Sequence, residues 1–92
     1  MSTARVTLLG KPGCHLCDDA RAVVTRVVSE LAAHGAAPEI VVEEHSILDD
    51  EALLDRYAEE IPVVLINDRV HNYWRIDPER LRTALLAVGP DA

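Results

Sequence analysis

Ninety-two residues with sixteen acidic and nine basic side chains, a formal charge of −7, leave room for one core and none for a second. A hydrophobic content of 49% is too high for a disordered segment. The acidic balance, with Lys11 as the only lysine, argues against nucleic acid or an anionic membrane surface as a main partner, because both need clustered Lys and Arg. No run approaches the ~18 apolar residues of a membrane span. Met1-Ser2-Thr3-Ala4-Arg5 lacks the charged and then apolar pattern of a secretory signal. The expectation is a single domain over residues 1–92 in the cytoplasm.

In chain order, Val6-Thr7-Leu8-Leu9 is a short apolar run rich in β-formers, and Gly10 and Pro12-Gly13 follow it, so a buried strand feeds a loop. The pattern then turns helical. Leu16, Ala20, Val23, Val24, Val27 and Leu31 recur at i, i+3, i+4, i+7 spacing, and Gly35 is a good stop, which predicts a helix from about Cys14 to about His34. Glu39 to Glu44 reads as a second strand with an apolar centre and acidic ends. Ser46-Ile47-Leu48-Asp49 fits a capping box, with Asp49 and Asp50 as competing caps for a short helix carrying Leu53, Leu54 and Tyr57. Ile61-Pro62 breaks that helix. Val63 to Ile66 is continuously apolar, as in a strand covered on both faces. Asn67-Asp68 is a two-residue hairpin turn, and Val70 to Trp74 returns as an edge strand. Asp77-Pro78-Glu79 opens a last helix with Leu81, Ala84, Leu85 and Val88 inward, and Gly89-Pro90 ends it.

Both cysteines of the chain lie in Lys11-Pro12-Gly13-Cys14-His15-Leu16-Cys17, at the start of the first helix. There the macrodipole and the unpaired first-turn amides favour a thiolate. Cysteines in such settings have pKa values lowered to roughly 3.5–7.5, against about 8.5 for a free thiol. Cys17, one turn on, is in reach to attack a mixed disulfide formed at Cys14. In a reducing compartment a pair so spaced points to catalysis or metal binding rather than to a structural staple. A zinc site needs two more ligands, and His15, His34, His45 and His71 are scattered without a spaced pair. A phosphatase loop of Cys, five residues and Arg fails because Ala20 stands at the arginine position. His15 is either an imidazolium that favours the Cys14 thiolate or an exposed helix-start residue that does little, whereas Asp18 and Asp19 oppose the thiolate while improving the helix terminus. Tyr73 and Trp74 either flank a substrate groove or pack on the edge strand. Arg75, Arg80 and Arg82, and the acidic runs at Glu43, Glu44, Asp49, Asp50 and Glu51, read as solvated faces.

The order βαβαββα, with Cys-x-x-Cys at the first helix and Ile61-Pro62 before the third strand, resembles the thioredoxin fold in its short glutaredoxin form. The likeness runs from about Val6 to about Val88. Pro12-Gly13-Cys14-His15-Leu16-Cys17-Asp18, Ile61-Pro62-Val63-Val64 and Trp74-Arg75 are similar to a small bacterial group of glutaredoxin-like proteins. The resemblance implies an α/β fold: a four-stranded mixed sheet with three flanking helices. It also implies a cis Ile61-Pro62 bond lying against the cysteines, with the Ile61 backbone pairing to a substrate strand.

Lys11 matches a basic residue that the family often has before its first cysteine. Glutathione-using glutaredoxins carry a Gly-Gly turn and then an acid after the hairpin. The stretch from Val70 to Asp77 has no glycine, and only Asp77 supplies the acid.

These readings converge on a small dithiol oxidoreductase. Cys14 and Cys17 are catalytic, and Lys11, Gly13, His15, Ile61 and Pro62 are the substrate-binding set. No metal or organic cofactor is expected beyond a redox-active Cys14–Cys17 disulfide. The partners are a thiol or disulfide substrate, of protein or low molecular weight, and a reductant, either a thioredoxin reductase-like protein or a small thiol such as glutathione. A monomer is the expected state. The competing reading is a non-enzymatic binding module of the same fold, its cysteines vestigial or holding a metal or cluster.

Overall fold

The computed structural model describes residues 3–35 and 37–88, so the stop expected at Gly89-Pro90 lies outside the described residues. Strand β1 (Thr3–Gly10) is the organising element. Its Ala4, Val6 and Leu8 are essentially fully buried on one face, while Arg5 is exposed on the other. The strand is longer than its apolar run, because Thr3, Ala4 and Arg5 continue the parallel pairing with Glu39, Ile40 and Val41 of β2 (Glu39–Ser46). A small Ala4 keeps the alternation inward without an apolar signal in the sequence.

Between these strands runs α1 (His15–Ala32). It stops short of the expected end because the His34 N–H takes the Leu31 carbonyl at 2.9 Å, a tightened i→i−3 turn that closes the helix. Its buried stripe is Cys17, Ala20, Val24, Val27 and Leu31, so Cys17 holds the core position expected for Leu16, which is half-buried.

After β2, Asp49 lies inside a 3-10 turn, and Ser46 and Asp50 on either side of it do the capping. The Ser46 hydroxyl accepts from the Leu48 N–H (3.2 Å) to start a 3-10 turn, Ile47–Asp49. The Asp50 carboxylate accepts from Ala52 (2.9 Å) and Leu53 (3.4 Å) and caps α2 (Glu51–Tyr57).

Strand β3 (Val63–Ile66) lies between β1 and β4 (Arg69–Tyr73), antiparallel to both, in the order β2-β1-β3-β4. Val63 and Val64 are fully buried, as a central strand covered on both faces requires. The hairpin turn puts Asn67 and Asp68 at φ 50° and 68°, the left-handed pair that matches the twist of a two-residue hairpin. Asn67 also closes the turn onto β1, accepting the Arg5 N–H on its side-chain oxygen (2.9 Å) and donating its own N–H to the Arg5 carbonyl (2.9 Å). Val64 faces Asn72 but Leu65 faces Val70, which makes His71 the extra residue of a bulge. Asp77 accepts from the Glu79 and Arg80 N–H groups and starts α3 (Pro78–Val88), with Leu81 and Leu85 fully buried.

Two apolar clusters result. The larger joins Ala4, Val6, Leu8 and Val64 to Ala20, Val24, Val27 and Leu31 of α1 and Leu81 and Leu85 of α3. Burying a leucine-sized side chain contributes roughly 1.5–3 kcal/mol, so this cluster fixes α1 and α3 on the sheet. The smaller joins Leu9, Val63 and Ile61 to Ile47, Tyr57 and Cys17, with Cys14 packed against it. The thiol pair thus sits over the second cluster, at the end of β1 and the start of α1. Edge strand β2 leaves Val41 and Val42 42% and 47% exposed, so only Ile40 of its apolar centre packs against the core.

Candidate active site

Four residues bring the chain from β1 into α1. Gly10 ends the strand, and a Cβ built there would stand 3.0 Å from Cys17 Sγ and 3.2 Å from Cys17 Cβ. Only a residue without a side chain lets the first turn of α1 settle against the strand end. Gly13 takes φ 76°, the left-handed region, and turns the backbone into the helix. Cys14 then acts as the N-cap in extended conformation, and its sulfur accepts the Cys17 N–H at 3.2 Å. That sulfur holds the place of a Ser or Asp oxygen at a helix N-cap, with the positive end of α1 behind it.

The two thiols differ sharply in surroundings. Cys14 is half-buried and Cys17 is 2% exposed, and both are free thiols. Burial first, and then the hydrogen bond to Cys14, push the Cys17 thiol up to about 11, against a contrary pull from the Lys11 backbone. Cys17 is therefore held protonated at neutral pH beside a sulfur that already accepts its amide.

The remaining expected site residues fall as follows. Ile61 is buried in the cluster that contains Cys17, and the Ile61-Pro62 peptide bond is cis. The Ile61 N–H is donated to the Tyr57 carbonyl (3.2 Å) and is therefore not free for a substrate strand. Pro62 is buried, and its carbonyl accepts the Trp74 N–H at 2.9 Å. Lys11 is exposed and lines a hollow of about 150 Å³ with Gly10, Pro12, Asp18, Arg21, Glu44, His45 and Ser46. His15 is exposed on the first turn of α1. Gly13 has nothing within 4 Å of its would-be Cβ, so its contribution is the turn itself.

Asp18, which opposes a thiolate, is engaged elsewhere. Arg21 bonds Asp18 at 2.9 Å and grips Glu44 of β2 through two nitrogens, at 2.8 and 2.6 Å. Glu44 is held below the usual carboxylate range chiefly by its hydrogen bonds to Arg21. Among the described residues, no group of three or more His, Cys, Asp or Glu side chains is placed to hold a metal ion. Among them, too, no helix is long and apolar enough to cross a membrane.

A family model for the Glutaredoxin-like domain (DUF836) matches residues 5–86. The chain belongs to the glutaredoxin-like domain family. Among curated proteins it is 32% identical over 82 residues to the uncharacterized proteins Mb0520 of Mycobacterium bovis and Rv0508 of Mycobacterium tuberculosis, covering 89% of this chain and 82% of theirs. Among solved structures it is similar to target protein XcR50 from X. campestris, at 29% identity and TM-score 0.67, over 89% of this chain and 96% of that one. The solution structure of protein Ne2328 from Nitrosomonas europaea shares the fold, at 23% identity and TM-score 0.69, over 89% and 91% of the two chains. The family membership and the thioredoxin-like architecture inferred from the cysteine spacing and the Ile61-Pro62 step are both established by these matches.

Two positions escaped the sequence reading. Gly10 looked like the start of a loop, because nothing in a sequence says which side chain will press on a strand end. Tyr57 looked like an ordinary helix apolar. Yet it packs beside Cys17, and its carbonyl receives the Ile61 amide.

Proposed function

We propose that this glutaredoxin-like domain is a dithiol oxidoreductase in which Cys14 attacks and Cys17 resolves. The observation that carries the reading is the asymmetry of the pair: a half-exposed N-cap sulfur accepting a helix amide, and a buried, protonated thiol one turn behind it. The thiolate of Cys14 attacks one sulfur of a substrate disulfide, forming a mixed disulfide and expelling the other sulfur as a thiolate. Cys17 then gives up its proton and attacks the Cys14 sulfur. A Cys14–Cys17 disulfide forms, and the second substrate thiol leaves. Two electrons pass from the protein to the substrate, and an external thiol reductant restores the dithiol.

The chain's own groups supply the rest. Lys11 brings positive charge to the loop that carries the leading sulfur, His15 stands exposed on the first turn beside it, and Gly13 shapes the turn. The Ile61 carbonyl meets the incoming chain beside Pro62. No metal or organic cofactor takes part, a thioredoxin reductase-like protein or a small thiol such as glutathione is the reductant, and the cytoplasm is the compartment in which such a dithiol stays reduced.

The test is site-resolved alkylation joined to turnover. At pH 7 iodoacetamide should label Cys14 and spare Cys17 in the native protein. Cys14→Ser should abolish reduction of hydroxyethyl disulfide, and Cys17→Ser should accumulate mixed disulfides visible by mass. Wild-type turnover in both variants refutes the mechanism. A reduction potential near about −270 mV would mark a reductant and one near about −120 mV an oxidant.

A further inference from the structure

Trp74, the chain's only tryptophan, sits where its backbone is least comfortable. Its φ is 64°, a value rare for a bulky residue, yet three contacts hold it there. Its backbone N–H bonds the Pro62 carbonyl at 2.9 Å, and its indole N–H bonds the Glu59 carbonyl at 3.0 Å. The Tyr73 ring meets it edge-on, with centroids 5.1 Å apart. The held ring is nevertheless 54% exposed and Tyr73 45%. A bulky residue pinned in an unfavourable conformation so that its face stays in water points to use of that face.

The face reaches the first turn of α1. Leu16, the residue between His15 and Cys17, joins Tyr73, Trp74 and Arg75 around an open hollow of about 470 Å³. That volume lies within the roughly 300–1,000 Å³ of ligand clefts. Its wall is apolar apart from Arg75. Among the described residues, Arg5, Arg21, Arg26 and Arg82 are in ion pairs with acids and Arg56, Arg69, Arg75 and Arg80 are not, and of these four only Arg75 lines this hollow. Asp19 lines the narrower recess behind the hollow, also with Arg75, without a salt bridge between them.

We propose that the hollow walled by Leu16, Tyr73 and Trp74, with Arg75 at its rim, seats a polypeptide disulfide whose cysteine is flanked by a large apolar side chain and a carboxylate. This deepens the dithiol reading and rests on it. The apolar wall takes the apolar side chain, and the unpaired guanidinium takes the carboxylate. Main-chain pairing at Ile61 is halved, because its N–H already serves Tyr57, so this side-chain seat supplies the grip that a full strand pairing would give.

The only indole of the chain is also the reporter. A non-reducible peptide, Leu-Ser-Asp flanked by glycines, should change Trp74 emission saturably, and a Gly-Ser-Lys control should not. In turnover, the ratio of kcat/KM for a Leu-Cys-Asp peptide disulfide to that for hydroxyethyl disulfide should fall about tenfold in Trp74→Ala. The ratio should fall again in Arg75→Gln, and Trp74→Phe should recover part of the first loss. Equal emission changes with both peptides, an unchanged ratio in Trp74→Ala, or glutathione disulfide turned over as fast as the peptide would each overturn the proposal. Peptide binding without any disulfide turnover would instead remove the redox reading and leave the seat standing.

Discussion

Substituting Gly10→Ala tests how the thiol pair is positioned. An alanine placed freely in a strand should stabilise, because glycine loses more backbone entropy on folding, by about 0.5–1 kcal/mol. Here the new methyl lands 3.0 Å from Cys17 Sγ and 3.2 Å from Cys17 Cβ. Cys17 is 2% exposed among Leu9, Ile47, Tyr57, Ile61 and Val63, so it has no flexible end to swing aside. Relief must come from lifting the first turn of α1, and overpacking of this kind costs roughly 1–3 kcal/mol. The clash exceeds the entropy gain, leaving a net loss of about 1–2 kcal/mol. For a domain of this size that lowers Tm by roughly 4–16 °C. Thermal unfolding of Gly10→Ala, Cys17→Ala and the double variant closes a cycle. Removing the sulfur should relieve part of the alanine's penalty, with a coupling of about 0.5 kcal/mol or more. A Tm for Gly10→Ala equal to or above wild type, or strict additivity, refutes the argument.

Other outcomes follow from the same structure. His71, the bulge residue, has a buried Nε2 without a hydrogen-bond partner, and burial first, then Arg80, hold its pKa below the usual value, against a pull from Asp77. The folded state then binds fewer protons than the unfolded chain. Stability should therefore fall as pH drops below about 6.5 toward the lowered native value, and denaturant midpoints for His71→Gln should lose most of that dependence. Asp50→Ala removes the acceptor for two first-turn amides of α2 and should cost about 0.5–2 kcal/mol by urea titration. Arg21→Gln breaks a pair of exposed ion pairs worth less than about 1 kcal/mol. It should also slow iodoacetamide labelling of Cys14 at low salt, by freeing the Asp18 charge, and a faster rate would contradict that role.

What could be read in advance was whatever depends on period and local chemistry. The alternation of β1, the apolar stripe of α1, the paired left-handed residues at Asn67-Asp68 and the Asp77 cap each follow from a few neighbouring residues. So does the element order, and with the Cys-x-x-Cys and Ile61-Pro62 steps it was enough for the family. What could not be read depends on what lies across space. Asp49 and Asp50 are equally good caps on paper, and only the 3-10 turn that takes in Asp49 leaves Asp50 to cap α2. The apolar centre of β2 gives no hint that the strand lies at an edge. The Ile61 amide looks free in sequence and is taken by Tyr57 only because α2 ends one turn earlier.

The thiol pair shows both kinds of information in one motif. With Cys14 at the N-cap, His15 and Leu16 follow and Cys17 is the third helical residue, whose amide is one of those an N-cap side chain reaches. Two intervening residues therefore make the Cys17 N–H a partner for the Cys14 sulfur by helix geometry alone. The same spacing starts the buried stripe of Cys17, Ala20, Val24, Val27 and Leu31. One cysteine is thereby left outside the helix and the other turned into the core. The difference in exposure, the high pKa of Cys17 and the division into attacking and resolving sulfur all descend from that single offset. The offset is visible in the sequence. Whether the inward sulfur has room is decided by the bare Cα of Gly10.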